Sequence, residues 1–390
     1  MAEASKIVIG GDLLPWKNNY SLFVNGDSDS LFGEKVCNLF STANFSIINL
    51  EGPLTDSKEQ QTKIGPIIKA GKDTIKGIAA LGIKAAALSN NHITDYLDKG
   101  VKDTIETLTE NGIQCVGAGM SINDIKTHIS LTIGGRYICI YNVSEFFFNA
   151  PGPTTAGVNL YDEYRVCNEI KELKRTHDYI IVLYHGGAEY FPYPTPQTRK
   201  RFHRMVDSGA DFISAQHTHC IGCEEWYNGA YLLYGQGNFL FAKQSTGKMT
   251  TEGLVVEIVF SLGDVEIKKH RVQLNSIACL EYASDQSLSD FYERSRIINR
   301  EEYIIEQYKE LKSESIIDRY LLAYKGNSFF LTKFQRLIPS KIWRKIVESY
   351  TSRDIMRIIF TLTSDRANED VYYIWNKIKE KNERFKNKNK

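Results

Sequence analysis

The sequence predicts an α/β sandwich followed by a helical region, and two observations support this division. Short apolar runs alternate with helical stretches through residues 1–280, a pattern typical of α/β folds. Glycine is common before Asp264 and rare after it, and basic residues exceed acidic ones only over residues 281–390. We therefore predict an α/β domain over residues 1–280 and a helical region over residues 281–390.

The strands and helices of the α/β part follow from local patterns. Apolar runs predict strands at Lys6–Ile9, Phe45–Leu50, Lys84–Leu88, Ile113–Val116, Tyr179–Leu183 and Asp211–Ser214. Asp73 is the expected N-cap of a helix over Thr74–Leu81, and Gly82 is its stop signal. A second amphipathic helix is predicted over Val101–Glu110. Three pairs predict hairpin turns, namely Gly134-Gly135, Asn228-Gly229 and Gly263-Asp264.

The helical region is predicted from apolar residues spaced three and four apart. The expected helices are Phe291–Tyr308, Ser313–Tyr324, Lys341–Tyr350, Asp354–Thr361 and Glu369–Phe385. Their basic excess predicts either a solvated face or docking to an anionic membrane surface, a polymer or a synthase complex.

Composition excludes several classes of protein. With 390 residues, 24% charged residues and a net charge of +1, the chain is neither disordered nor an evident nucleic-acid binder. Seven cysteines without a repeating framework favour a reducing compartment. We find no apolar run long enough for a membrane span or a secretory signal, so we expect a cytoplasmic protein with no specific nucleic-acid partner.

Polar residues recur just past the ends of the predicted strands. They are Asp12, Glu51, Asn91, His92, His185, His217 and His219. This edge of an open α/β sheet is where ligands bind. Imidazole, carboxylate and amide ligands together suit Mn, Fe or Zn better than Ca or Mg. The set exceeds the needs of one tetrahedral ion, so we predict one or two divalent ions, with His92 placed to act as a general acid.

Several of these residues have simpler interpretations. Asp12 alone is compatible with a turn after a strand, and Asn91-His92 with a simple turn. The histidine pair His217-x-His219 gives the strongest metal-ligand signal. Cys220 and Cys223 have no second cysteine pair to complete a zinc site, so we interpret them as small buried residues.

Six short motifs occur in order over roughly residues 5–270. They are Gly11-Asp12, Asn49-Leu50-Glu51-Gly52, Asn90-Asn91-His92 with Asp95-Tyr96, His185-Gly186-Gly187-Ala188-Glu189-Tyr190, His217-Thr218-His219 and Gly237-Asn238-Phe239-Leu240-Phe241. Their order and spacing resemble the poly-γ-glutamate capsule-biosynthesis (CapA) family, a branch of the calcineurin-like metallophosphoesterases. The resemblance implies a four-layer α-β-β-α sandwich with a dinuclear metal site, to which this chain adds an all-α C-terminal extension.

The resemblance also implies a role for each residue. In this assignment Asp12 and His219 bind the first metal, Asn91, His185 and His217 bind the second, Glu51 bridges the two and His92 is the general acid. The phosphoesterase pattern has a histidine where this chain has Leu14, so the first metal lacks one ligand. The candidate substrate-binding residues are Glu189, Tyr190 and Asn238. Glu189 is alternatively a partner of His185 or a replacement for the missing ligand.

The implied chemistry is hydrolysis or transfer at a phosphoester or amide-like bond by a metal-activated water. The resemblance implies a role in making a capsule or cell-surface polymer, with an anionic polymer or a phosphorylated small molecule as substrate. Two alternatives stay open. One is a general phosphodiesterase or nucleotidase, and the other is a non-catalytic polymer-binding or assembly factor whose metal site is weakened at Leu14.

Overall fold

Two β-sheets pack face to face at the centre of the fold. The structure is a computed structural model that describes residues 5–63, 65–145, 149–241, 251–261, 263–276, 279–283 and 288–312. Side chains from both sheets form one buried apolar cluster between them, with Ile7 and Ile47 from one sheet and Ile140, Ile181 and Phe212 from the other.

The bounds of the described elements are as follows. The strands are β1 (Ser5–Leu14), β2 (Phe45–Leu50), β3 (Ala85–Ala87), β4 (Gln114–Val116), β5 (Ala118–Gly119), β6 (His128–Ile133), β7 (Arg136–Ser144), β8 (Gly157–Val158), β9 (Tyr179–His185), β10 (Phe212–Gln216), β11 (Glu224–Tyr227), β12 (Ala230–Leu233), β13 (Asn238–Phe241), β14 (Glu252–Ser261), β15 (Asp264–Leu274) and β16 (Leu280–Tyr282). The helices are α1 (Tyr20–Asn25), α2 (Ser28–Phe32), α3 (Glu34–Ser41), α4 (Ile75–Ala80), α5 (Leu97–Glu110), α6 (Glu163–Lys174), α7 (Pro196–Asp207), α8 (Ser289–Arg296) and α9 (Glu301–Lys312).

Each of these two sheets combines parallel and antiparallel strand pairs. The first runs β16-β15-β14-β1-β2-β3-β4, with β13 paired to β1 outside this order. Strands β1 to β4 are parallel, and β14 joins β1 in the antiparallel sense. The second sheet runs β11-β12-β10-β9-β7-β6, and β12, β10, β9 and β7 are parallel. The three predicted hairpins are confirmed as the β6–β7, β11–β12 and β14–β15 pairs.

Helices cover the outer face of each sheet. Helices α1 to α5 contribute residues such as Phe23 and Val101 to a cluster on the first sheet. Helices α6 and α7 contribute Val166 and Phe202 to a cluster on the second sheet. Because successive side chains of a strand point to opposite faces, strands between two such layers are largely apolar on both faces. The predicted four-layer α-β-β-α sandwich is therefore confirmed.

Strand β1 is longer than the sequence predicts. It continues through Gly10, Gly11 and Asp12 to Leu14, with Asp12 paired to Asn238 of β13. A Cβ atom at Gly11 would lie 2.6 Å from the carbonyl oxygen of Gly237, so the missing side chain allows β13 to approach. The glycines resemble a turn in the sequence but instead allow close strand pairing, and Asp12 lies inside the strand and not after it.

The helix predicted over Thr74–Leu81 is shorter, and its expected cap is wrong. A 3-10 turn at Lys72–Thr74 precedes α4, whose N-terminus has no side-chain cap. The Asp73 carboxylate instead accepts a hydrogen bond of 2.6 Å from the Tyr20 hydroxyl. Gly82, with φ +81°, follows the end of α4 as predicted.

The single helix predicted over Phe291–Tyr308 is two helices, α8 and α9. The break contains Ile298, which is buried in the cluster on the second sheet, so tertiary packing overrides the continuous helical spacing. The other four predicted helices lie outside the described residues. The chain divides into two compact units, Met1–Glu306 and Gln307–Lys390, and both sheets belong to the first. The predicted domain boundary at residues 280–281 stays a prediction.

A buried glutamine links the two sheets. The Gln236 amide nitrogen donates to the backbone carbonyls of Ile9 at 2.9 Å and Leu254 at 3.0 Å, both in the first sheet. Its amide oxygen accepts hydrogen bonds from Ser214, at 3.1 Å, and Gln216, at 3.2 Å, in the second sheet. Gln236 is fully buried, so these bonds form away from water.

We expect Gln236→Leu to lower the free energy of unfolding by about 1–3 kcal/mol, because it removes one partner from each of several buried hydrogen bonds. Urea unfolding measures the change. Gln197→Leu, at an exposed position of α7, is the matched control and should change stability by about 0.5 kcal/mol or less. Equal effects of the two substitutions would contradict a linking role for Gln236.

Candidate metal centre

Two buried carboxylates form the base of the site. Asp12 lies near the end of β1 and Glu51 directly follows β2, and neither is exposed to solvent. One oxygen of Asp12 accepts a hydrogen bond of 2.7 Å from the Asn49 amide, and the other accepts the backbone N–H of His217 at 3.0 Å. Burial raises the pKa of Asp12. Two adjacent buried acids favour a bound cation, because burial of an uncompensated negative charge is unfavourable.

Three buried histidines surround these carboxylates. His185 is the last residue of β9, so it lies inside the strand and not past its end as predicted. His217 and His219 follow β10, as predicted. The Glu51 Oε1 atom lies 3.7 Å from Nε2 of His185 and 3.7 Å from Nε2 of His219. The Nδ1 atom of His219 is 3.6 Å from an Asp12 oxygen. Glu51 is therefore central to the site, between imidazoles that the sequence predicts to serve different ions.

Two of these histidines, His185 and His217, are held in the neutral form. Burial, reinforced by the neighbouring His217 and His219, places the pKa of His185 well below its ordinary value. Burial and the neighbouring His219 do the same for the pKa of His217. A neutral imidazole has a free lone pair and is the form that binds a metal ion.

The turn after β10 has an unusual backbone. His217 has φ +87° and His219 has φ +53°, in the left-handed region that side chains other than glycine seldom adopt. Such strain concentrates at functional sites, where the surrounding structure holds it in place. Here the His217 N–H bond to Asp12 and the contact of Asn238 Oδ1 with His219 Nδ1, at 2.9 Å, hold the turn.

The ligand atoms fall into groups compact enough to hold ions. Within each group the atoms all lie within 4.8 Å of one another, and the groups are Asp12–Glu51–His219, Glu51–His185–His217 and Glu189–His217–His219. The first two share Glu51, as expected for a bridging carboxylate between two ions. Mixed oxygen and imidazole donors fit the predicted Mn, Fe or Zn. The structure thus brings the predicted carboxylates and histidines together, and the role of each remains a prediction.

Asn91 and His92 also lie beside this group. The Asn91 side-chain oxygen is 2.8 Å from Nε2 of His185. His92 is buried, and its Nδ1 is 2.7 Å from Oδ2 of Asp95. Burial lowers the pKa of His92, although the adjacent Asp95 acts in the opposite direction. The predicted general acid, His92, is therefore an imidazole whose orientation is fixed by a hydrogen bond between one ring nitrogen and the Asp95 carboxylate.

Sequence reasoning missed two residues that contact the site. The Asn49 amide lies between Asp12 Oδ1, at 2.7 Å, and His185 Nδ1, at 3.2 Å. Its place in the same motif as Glu51 was a usable signal. Lys63 forms a buried ion pair with Asp95, and its Nζ lies 2.9 Å from the Asn91 carbonyl oxygen. Lys63 belongs to a loop without periodicity, so no local pattern indicates this contact.

The other predicted residues lie at the rim or beside the ligands. Glu189 and Tyr190 are exposed, and the Tyr190 ring lies 5.9 Å from the His219 ring. Asn238 contacts His219, as described above. Their substrate-binding roles remain predictions. Leu14 is buried in the apolar cluster under the helices, so position 14 supplies no ligand.

Cys220 and Cys223 are buried free thiols, as predicted. Burial raises the pKa of Cys220 to about 12 and also raises that of Cys223. Both are therefore protonated at neutral pH, whereas a zinc-binding or redox-active cysteine needs a thiolate.

The fold and site define an α/β protein with a buried histidine–carboxylate centre suited to divalent ions. The sequence model of the family described as bacterial capsule synthesis protein PGA_cap matches residues 6–243. The chain belongs to this family.

Two relatives and one solved structure illustrate the similarity. The chain is 29% identical to the PGA biosynthesis protein CapA of Bacillus subtilis over 59% of this chain and 62% of the relative. It is 30% identical to the capsule biosynthesis protein CapA of Bacillus anthracis over 50% of this chain and 49% of the relative. The chain thus spans about half to three-fifths of these relatives.

The solved structure is a phosphatase from Mycoplasma pneumoniae. Its TM-score is 0.44 at 16% identity, over 75% of this chain and 100% of that one. Separately, none of the helices in the described part of the chain has the length and apolar character needed to cross a membrane.

We expect Lys63→Met to lower the free energy of unfolding by about 3–5 kcal/mol, because it leaves the Asp95 charge buried without its cation. The side chains of Lys63 and Asp95 are 4% and 0% exposed. Lys102→Met is the control, since the Lys102 side chain is 58% exposed and its pair with Glu106 should contribute about 1 kcal/mol or less. Denaturant unfolding compares the two variants, and a Lys63→Met effect no larger than that of Lys102→Met would argue against a stabilising buried pair.

Proposed function

We propose that this protein is a metal-dependent hydrolase or transferase that acts on a phosphoester or amide-like bond during synthesis of a capsule or cell-surface polymer. The observation that carries the proposal is the position of Glu51, shared by two compact groups of buried ligands. The names of the Bacillus relatives support the capsule role. An anionic polymer or a phosphorylated small molecule is the proposed substrate.

The proposed ligands divide into two sets. Asp12 and His219 would hold the first ion, Asn91, His185 and His217 would hold the second, and Glu51 would be shared between them. When bound, a pair of Mn, Fe or Zn ions supplies Lewis acidity and lowers the pKa of the attacking water.

The protein's own contribution is to orient these ligands and to supply a proton. The Asn49 amide contacts both Asp12 and His185, so it fixes one ligand from each set relative to the other. The bond between His92 Nδ1 and Asp95 leaves Nε2 as the ring nitrogen that exchanges a proton with a leaving group. Lys63 supports this arrangement by pairing with Asp95.

We expect the purified protein to contain up to two equivalents of a divalent first-row metal, and His217→Ala to lose at least one of them. His217 belongs to the group that would hold the second ion, so its removal takes away a ligand. Plasma mass spectrometry after reconstitution with Mn²⁺ measures the metal content. His128→Ala, on β6 away from the site, is the control and should retain all metal. Absence of metal from the parent protein would contradict the proposal.

We expect His92→Ala to retain metal but to lower turnover of bis-p-nitrophenyl phosphate by about 10²–10⁴-fold, the usual contribution of general acid–base catalysis. Turnover of this diester with Mn²⁺ is measured beside metal content in the same preparation. Unchanged turnover would remove the acid role of His92. Metal binding by the parent protein without any turnover of this diester, nucleotides or anionic polymer would favour a non-catalytic polymer-binding factor, the alternative suggested by Leu14.

A further inference from the structure

The first of the two proposed ligand sets is incomplete. It comprises Asp12, Glu51 and His219. The resemblance to phosphoesterases implies a further histidine ligand at position 14, where this chain has Leu14. Leu14 is only 1% exposed and packs in the apolar cluster on the helical side of the first sheet. Any side chain that completes this centre therefore comes from another position of the chain.

Glu189 is positioned to supply that ligand. Its Oε1 atom lies 3.8 Å from Nε2 of His217, and its carboxylate forms a compact group with His217 and His219. The two histidines are proposed to bind different ions, and each also lies in a compact ligand group that contains Glu51. Glu51 is fully buried, whereas the Glu189 side chain is 45% exposed. The two histidines thus have one carboxylate in the interior and another toward solvent.

Contacts on both sides of Glu189 hold its loop against the histidine turn. On one side, the Tyr190 N–H donates a hydrogen bond of 2.8 Å to the carbonyl oxygen of Thr218, between the two histidines. On the other side, the Gly187 N–H donates a hydrogen bond of 3.0 Å to Glu145, which is ion-paired with Arg201. The backbone therefore holds the carboxylate of Glu189 near the site despite its exposure.

We propose that Glu189 is a metal ligand at the solvent-facing side of the centre and provides the donor that Leu14 cannot. This inference rests on the proposed function, since it assumes that the buried groups bind divalent ions. Its carboxylate adds a third negative charge to those of Asp12 and Glu51, against the four positive charges of two divalent ions. Carboxylate oxygen is also a donor that Mn²⁺ readily accepts.

The test is calorimetric titration of the full-length, chelator-treated protein with Mn²⁺ alone. Glu189→Gln keeps the shape of the side chain but removes its charge, and it should weaken at least one Mn²⁺ binding step by about tenfold or more. Glu110→Gln, at an exposed position at the end of α5, is the matched control and should bind Mn²⁺ like the parent protein. Melting temperatures without metal should agree among the three proteins, because Glu189 is exposed.

The outcomes separate this inference from the proposed function. If Glu189→Gln binds Mn²⁺ like the parent protein while His217→Ala binds it less tightly, Glu189 is not a ligand and the metal centre stands. If the parent protein binds no Mn²⁺, both proposals fall. Selective weakening in Glu189→Gln, with Glu110→Gln unaffected, supports Glu189 as a ligand.

Discussion

The burial of two carboxylates side by side is the constraint on which the centre depends. Asp12 and Glu51 have no access to solvent, so neighbouring groups must replace the lost hydration. The amide of Asn49 and the backbone N–H of His217 do so in part for Asp12. The imidazoles of His185 and His217 are kept neutral by the same burial, so they provide lone pairs and not compensating charge. The negative charge of the two carboxylates therefore exceeds the positive charge of these neighbouring groups, which favours the binding of divalent cations at the centre.

The fold was predictable from the sequence where a run of residues with a single local pattern forms one strand or helix of a layer. Strand β2 has the predicted bounds because apolar clusters cover both of its faces, which makes four of its six residues apolar. Strand β1 was underestimated because glycines that allow β13 to approach resemble a turn in sequence. The break between α8 and α9 was missed because Ile298 is positioned by packing on the second sheet, which helical spacing does not encode.

The candidate site was also predictable in part, because some of its residues lie at the ends of strands that a local pattern reveals. Residues at strand ends, such as Glu51 directly after β2 and His185 at the last position of β9, are marked by these strands, and the parallel sheets bring them together. Asn49 and Lys63 were missed because their importance lies in contacts with residues far along the chain. Lys63, for example, meets Asp95 across a loop without periodicity. Local patterns identify the ligands at the centre, whereas the contacts that orient these ligands are set by the fold.

The division of the centre between the two sheets has a mechanical consequence. The acids come from the first sheet and three imidazoles from the second, with Gln236 and the shared apolar cluster joining the sheets. A small slide of one sheet over the other would change every distance between acid and imidazole at once. Substitutions deep in the interface between the two sheets, far from any ligand, can therefore alter metal affinity. Conversely, an ion bound by ligands from both sheets would oppose such sliding.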